Sequence, residues 1–83
     1  MTTHDLTITL DRVEGALVRV LGLAERRGYP PLAISAQPDG EHTRLSLTVQ
    51  SARPIHLLLR RLEALFDVHH VALAAPALRE VAR

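Results

Sequence analysis

Histidine is the residue type in this chain best suited to binding a metal ion, and there are five: His4, His42, His56, His69 and His70. None of them forms the i, i+4 pair that lets two imidazoles on one helix share an ion, and the chain has no cysteine. His69 and His70 are adjacent in a predicted strand, so we expect their side chains to point to opposite faces of the sheet. The pattern therefore favours surface histidines over a metal site.

The serines and carboxylates also lack the spacing of an active site. Ser35, Ser46 and Ser51 have no base and orienting acid at a recognisable distance in the sequence. Asp11 and Glu14 are the nearest approach to a carboxylate pair, and their spacing predicts helix capping, with Asp11 as N-cap and Glu14 at the third helical position. The chain is therefore predicted not to be an enzyme by itself.

Composition restricts the remaining function classes. A chain of 83 residues suits one small domain, whose limited core favours oligomerisation. A formal net charge of +1 predicts no attraction to nucleic acid or to a membrane surface. No apolar run approaches the roughly 20 residues that span a bilayer. The first residues lack the features of a signal peptide, and the absence of cysteine fits a reducing compartment, so we expect a cytoplasmic location.

The hydrophobic pattern of the first half alternates between strand and helix. Residues 5–10 read DLTITL, which predicts a half-buried strand. Apolar residues then recur at three- and four-residue spacing and predict an amphipathic helix with Gly28 at its C-cap. Its apolar stripe comprises Val13, Leu17, Val20, Leu21 and Ala24. Pro30 and Pro31 open a second strand, and the turn PDGEH leads to a third.

The second half repeats this order. Residues 51–66 read SARPIHLLLRRLEALF and predict a helix with Ser51 as N-cap and Pro54 in the first turn. Its predicted buried stripe comprises Ile55, Leu58, Leu59, Leu62, Leu65 and Phe66. The following DVHHVALAA predicts a fourth strand. The βαββαβ order predicts an α+β, ferredoxin-like domain over residues 1–75, with a four-stranded antiparallel sheet, two helices on one face and a tail at 76–83.

Gly15 falls in the opening turn of the first predicted helix, where glycine costs about 0.5–1 kcal/mol relative to alanine. One interpretation is that it exposes backbone N–H groups at the positive end of the helix dipole, which would suit a carboxylate ligand. The other is that glycine only lets the loop pack closely against the strand. The local sequence leaves both open.

Two stretches carry a resemblance to a known family. GALVRVLGLAERRGY, at 15–29, closely resembles the first helix of the ACT domains in small regulatory subunits of acetolactate synthase. LTVQSARPIHLLLRRLEALFDVHHVAL, at 47–73, is similar to the third strand, second helix and fourth strand of the same proteins, in particular of the short, single-domain isozyme II type. The resemblance extends over about residues 5–75.

The resemblance implies a non-catalytic subunit that binds and activates a larger catalytic subunit in branched-chain amino acid biosynthesis. That partner would use thiamine diphosphate, Mg²⁺ and FAD, and no cofactor is expected in this chain. Family members pair edge to edge as homodimers and bind a branched-chain amino acid such as valine at the interface. The alternative is a stand-alone ACT domain that senses a small amino acid and regulates another protein.

Other classes on the same fold are disfavoured. RNA-recognition modules stack bases on aromatic side chains of the sheet, whereas the outward positions predicted here are threonines and serines. Neither nucleic acid nor membrane is therefore expected as a partner. The arginine pairs at 26–27 and 60–61 have two interpretations, as solvated outer-face residues or as part of a docking surface for another subunit.

The resemblance also implies an effector site with two parts. The first loop and helix would meet the effector carboxylate, and the start of the second strand would meet its ammonium group and side chain. The matching positions are Asp11, Gly15, Ala16, Leu17, Pro30, Pro31 and Leu32. Valine-responsive members have Asn and then Ile where this chain has Pro30 and Pro31, and proline lacks both the amide side chain and the backbone N–H. We therefore expect valine feedback to be weak or lost.

Overall fold

The computed structural model describes residues 2–74, and the predicted tail at 76–83 lies outside them. Its elements are β1 (Thr2–Asp11), α1 (Ala16–Arg26), β2 (Pro31–Asp39), β3 (His42–Ser51), α2 (Ile55–Glu63) and β4 (Val68–Leu73). The strands form one antiparallel sheet in the order β2-β3-β1-β4. The predicted ferredoxin-like βαββαβ fold is confirmed.

The core lies between the two helices and one face of the sheet. Alternate positions of the central strands β1 and β3 face the helices, as their period of two predicts. The buried residues of these strands are Leu6, Ile8, Leu10, Leu45, Leu47 and Val49. The helices cover them with Val20, Leu23, Ala24, Leu58 and Leu62. The opposite face of the sheet carries mainly polar side chains and stays open.

The predicted apolar stripe of each helix includes residues that lie outside the observed helix. Val13 precedes α1 and is 46% exposed. α2 ends at Glu63, so Leu65 and Phe66 lie in the turn toward β4 instead of on the helix. Phe66 is 76% exposed, and its predicted burial is wrong. The reason is that the chain must reverse direction here to enter β4, which takes Phe66 off the buried face of the helix.

β2 is an edge strand with little cover. All of its residues are exposed except Pro31, which is half-buried. Leu32 and Ile34 are 57% and 49% exposed, although Ile34 pairs with the buried Leu47 of β3. A register shift between Pro31 and Ala33 leaves Leu32 out of the ladder. One side of the sheet therefore ends in an apolar strand with an unpaired edge within residues 2–74.

Candidate functional site

The β1–α1 junction is built around Gly15. This residue is the N-cap of α1 with a φ of 83°, and the helix begins only at Ala16. Glycine adopts this left-handed conformation at little cost, whereas other residues are strained there. Within residues 2–74 no side chain caps α1, so the predicted capping by Asp11 and Glu14 is wrong. Asp11 is instead the last residue of β1.

The first turn of α1 leaves backbone donors open. The N–H of Ala16 donates to the carbonyl oxygen of Val13 at 3.1 Å, and the N–H of Arg19 donates to that of Gly15 at 3.0 Å. Among the described residues, the N–H groups of Leu17 and Val18 have no backbone acceptor. They lie at the positive end of the helix dipole, where a carboxylate is favoured.

A pocket of about 370 Å³, here called the first-loop pocket, opens at this junction. Its volume is in the range of small-ligand sites. It is lined by residues 10–18 and Thr43. The structure therefore brings together four of the seven predicted effector residues: Asp11, Gly15, Ala16 and Leu17.

The other three predicted effector residues do not line this pocket: Pro30, Pro31 and Leu32. Asp11 pairs with His42 at one end of the sheet, whereas Pro31 pairs with Val49 near the other end. The nine-residue β2 spans roughly 25 Å at a rise near 3.3 Å per residue. One small amino acid therefore cannot contact both parts of the predicted site within a single chain.

The start of β2 has few polar groups to offer. Proline has no backbone N–H, so Pro30 and Pro31 provide no donors. The carbonyl oxygen of Pro30 already accepts the N–H of Gln50, at 3.4 Å. Pro30 itself is exposed, as is the neighbouring Leu32. This segment therefore presents an apolar surface.

An ion pair between Arg19 and Asp67 supports the first junction. Arg19 Nε and Nη2 both lie 2.6 Å from Asp67 Oδ2, and Nη2 also donates to the carbonyl oxygen of Glu14 at 3.0 Å. Asp67 is completely buried, and its backbone oxygen accepts the N–H of Asp11 at 2.9 Å. Sequence reasoning missed this pair. The available signal was an aspartate in the otherwise apolar stretch LFDV.

Asp11, His42 and His69, here called the histidine cluster, meet on the open face of the sheet. Asp11 Oδ1 is 3.6 Å from His42 Nε2 and 3.9 Å from His69 Nδ1, and the two rings have centroids 4.5 Å apart. Thr9 pairs with His70 and Leu10 pairs with Val68, so His69 is an extra residue in β4. The expectation that His69 and His70 point to opposite faces is therefore wrong, because the bulge interrupts simple alternation.

A second concave surface, of about 460 Å³, is here called the arginine cavity. It is lined by Arg27, Tyr29, Arg53, Leu57, Arg60, Arg61 and Ala64. Among the described residues, its lining includes four arginines and no acidic side chain. Guanidinium groups recognise carboxylates and phosphates, so the cavity suits an anionic partner surface. Arg26, the other member of the first predicted arginine pair, does not line it.

The ACT-domain family matches residues 12–71 of this sequence. The chain belongs to the ACT-domain family. Its curated relatives include the small subunit of acetolactate synthase isozyme 2 from Escherichia coli K12 and that from Shigella flexneri. Each is 32% identical over 75 residues, which cover 88% of this chain and 86% of the relative. The resemblance predicted from the sequence is confirmed.

Two solved structures agree with this chain in fold. The acetolactate synthase small subunit of Thermotoga maritima superposes with a TM-score of 0.79 at 20% identity, covering 92% of this chain and 49% of that one. The ACT domain of GTP pyrophosphokinase from Chlorobium tepidum gives a TM-score of 0.74 at 12% identity, covering 87% and 96%. Within residues 2–74, neither helix of this ACT domain has the length and hydrophobicity of a membrane span.

Proposed function

We propose that this ACT domain is the regulatory subunit of an acetolactate synthase and that it binds and activates the catalytic subunit. The observation that carries the proposal is the 32% identity, over 88% of the chain, to the isozyme 2 small subunit of Escherichia coli. Activation needs no chemistry from the chain itself. Binding that favours the competent conformation of the partner shifts its population toward that state.

Thiamine diphosphate, Mg²⁺ and FAD belong, in this proposal, to the catalytic subunit. The chain contributes surfaces. In this proposal the catalytic subunit docks at the arginine cavity. Arg60 and Arg61 would there pair with acidic side chains of the catalytic subunit. A cytoplasmic location, shared with that partner, stays a prediction.

Co-purification tests the proposal. The chain, carrying an affinity tag, is mixed with the catalytic acetolactate synthase subunit of the same organism, and we expect a stable complex. Replacing Arg60 and Arg61 by glutamate should weaken that complex, while Arg44→Glu, on an exposed β3 position, should not. A folded chain that captures no catalytic subunit yet binds an amino acid tightly would instead support the alternative of a stand-alone sensor.

We propose that two copies pair through their β2 edges. The exposed apolar side chains of Leu32 and Ile34 on an edge strand support this proposal. In antiparallel pairing, the start of β2 in one copy, at Pro31, would lie beside the end of β2 in the other copy, at Asp39. Asp39 pairs with His42, which pairs with Asp11 at the first-loop pocket. Such a dimer would thus bring both parts of the effector site to one end of the joined sheet.

The dimer proposal predicts the effect of a charge on the pairing strand. Ile34→Lys would place an ammonium group in the apolar part of the interface, so it should produce a monomer in sedimentation experiments. Ser35→Lys, next in the strand and on the opposite face, is the matched control and should stay dimeric. Equal behaviour of the two variants would contradict pairing through the apolar side of β2.

We also propose that branched-chain amino acids bind weakly, because the prolines at the start of β2 provide no side-chain amide as a polar anchor for the effector. Calorimetric titration with valine, leucine and isoleucine measures this directly. Binding tighter than roughly 100 μM, about −5.5 kcal/mol, would contradict the proposal. The double variant Pro30→Asn/Pro31→Ile restores the family's residues, and it should bind valine more tightly than the natural chain.

A further inference from the structure

The histidine cluster lies outside the surfaces proposed above for the catalytic subunit and for dimerisation. We propose that Asp11, His42 and His69 form a binding site for a divalent transition-metal ion of the zinc type. The ligands would be one carboxylate oxygen and two imidazole nitrogens. Sequence reasoning disfavoured a metal site because it found no ligand pair within one helix or strand. The site instead takes one ligand from each of three neighbouring segments of the sheet.

The ligand atoms already converge. Asp11, His42 and His69 each offer one ligand atom, and these three atoms all lie within 4.8 Å of one another. Zinc bonds of about 2.0–2.1 Å in a tetrahedral arrangement place ligand atoms roughly 3.3 Å apart. The two separations between the carboxylate oxygen and an imidazole nitrogen, 3.6 and 3.9 Å, are close to that value. Small rotations of these side chains would therefore complete the geometry.

The backbone holds the three residues in place. Asp11 and His42 are direct partners in the β1–β3 ladder. His69 is presented by the bulge in β4, on the other side of β1. Ligands on paired strands are positioned more accurately than ligands on loops. A bulge that redirects a side chain is typical of functional positions in sheets.

The donor set indicates the kind of ion. Two imidazoles with one carboxylate are ligands that zinc accepts in sites with an open coordination position, whereas Ca²⁺ and Mg²⁺ require mainly oxygen ligands. The side chains are 40%, 33% and 61% exposed for Asp11, His42 and His69, so solvent reaches the site. Water could therefore occupy the remaining positions.

The site also borders the first-loop pocket, because Asp11 lines that pocket. An ion bound to the Asp11 carboxylate would offset a negative charge at its rim. Metal binding is nevertheless a property of the chain alone. Its test needs neither the catalytic subunit nor an effector, so its outcome is independent of the proposed function.

The test is a calorimetric titration of the full chain, without an affinity tag, with ZnCl₂. We expect one ion per chain with a Kd of about 10 μM or tighter. His42→Ala and His69→Ala should each weaken binding at least about tenfold. His70→Ala, next to the proposed ligand, and His56→Ala, on α2, are matched controls that should bind as the natural chain does. Circular dichroism verifies that each variant is folded.

A spectroscopic arm tests the coordination itself. Co²⁺ added in place of zinc should give visible absorption bands that disappear in the His42→Ala and Asp11→Asn variants. Zinc binding weaker than about 100 μM would overturn the proposal. It would also be overturned if His70→Ala reduced affinity as much as His69→Ala, because the binding would then not be specific to this cluster.

Discussion

The two strand-to-helix junctions of this repeated fold are built differently. At the first, β1 reaches α1 through Gly15, whose φ is 83°, and no side chain from residues 2–74 caps the helix. At the second, β3 reaches α2 through Ser51 and the extended N-cap Pro54. Ser51 Oγ accepts the N–H of Arg53 at 3.0 Å and donates to the carbonyl oxygen of Gly28 at 2.9 Å. The Tyr29 hydroxyl closes this junction further, donating to Pro54 at 2.7 Å.

This difference separates a junction that side-chain hydrogen bonds hold together from one that opens onto the first-loop pocket. At the second junction the Ser51 and Tyr29 side chains make internal hydrogen bonds, although α2, like α1, has no side-chain cap within residues 2–74. The first leaves the N–H groups of Leu17 and Val18 without backbone acceptors among the described residues, beside a pocket. The ion pair between Arg19 and Asp67 stabilises this junction, because Arg19 also donates to the carbonyl oxygen of Glu14. The same topology thus gives one junction closed by side-chain hydrogen bonds and one that leaves backbone donors beside the first-loop pocket.

The largest effect is expected when the ion pair between Arg19 and Asp67 at the first junction is broken. Arg19→Met leaves the completely buried Asp67 carboxylate without its cation, so we expect a loss of about 3 kcal/mol in the free energy of unfolding. Urea denaturation measures it. Arg26→Met, in the last turn of the same helix, is the control and should change stability by less than about 0.5 kcal/mol. Similar losses in both variants would contradict a supporting role for the pair.

Gly15→Ala tests the conformation of the first junction. A left-handed alanine costs about 1–2 kcal/mol, and its Cβ would also lie 2.9 Å from Arg19 Nη1. We expect a loss of about 2 kcal/mol in total, measured by the same denaturation. Gly40 has a φ of 62° with no described atom within 4 Å of an added Cβ, so Gly40→Ala reports backbone strain alone. If the two variants lost equal stability, the contact with Arg19 would contribute nothing to the cost of Gly15→Ala.

A smaller loss is expected at the closed junction. Ser51→Ala removes both hydrogen bonds of a side chain that is buried, at 4% exposure, and should cost about 1–2 kcal/mol. Ser46→Ala, on an exposed position of β3, is the control and should be nearly neutral. The substitution should leave the first-loop pocket unaltered. A change in anion binding there would show that the two junctions are coupled.

The fold could be predicted because each element has a clear hydrophobic period. Leu6, Ile8 and Leu10 alternate along β1, and Leu58 and Leu62 recur at helical spacing in α2; all five are buried. Such patterns depend only on neighbours in the sequence. The left-handed Gly28 after α1 was predictable for the same reason, and its φ is 91°.

The site was less predictable because its contacts are long-range. Arg19 and Asp67 are 48 residues apart, and no local pattern relates them. The bulge that brings His69 to Asp11 depends on the pairing register between β1 and β4. Gly15 was singled out from the sequence, but its role as an N-cap with positive φ required the backbone.

The central claim is that this ACT domain activates an acetolactate synthase. The most direct measurement titrates the purified chain into the catalytic subunit of the same organism and follows acetolactate production, with and without valine. The account predicts that the rate rises to a plateau as the chain saturates its partner, and that valine lowers this plateau little. A rate that stays unchanged throughout the titration with folded chain would contradict it.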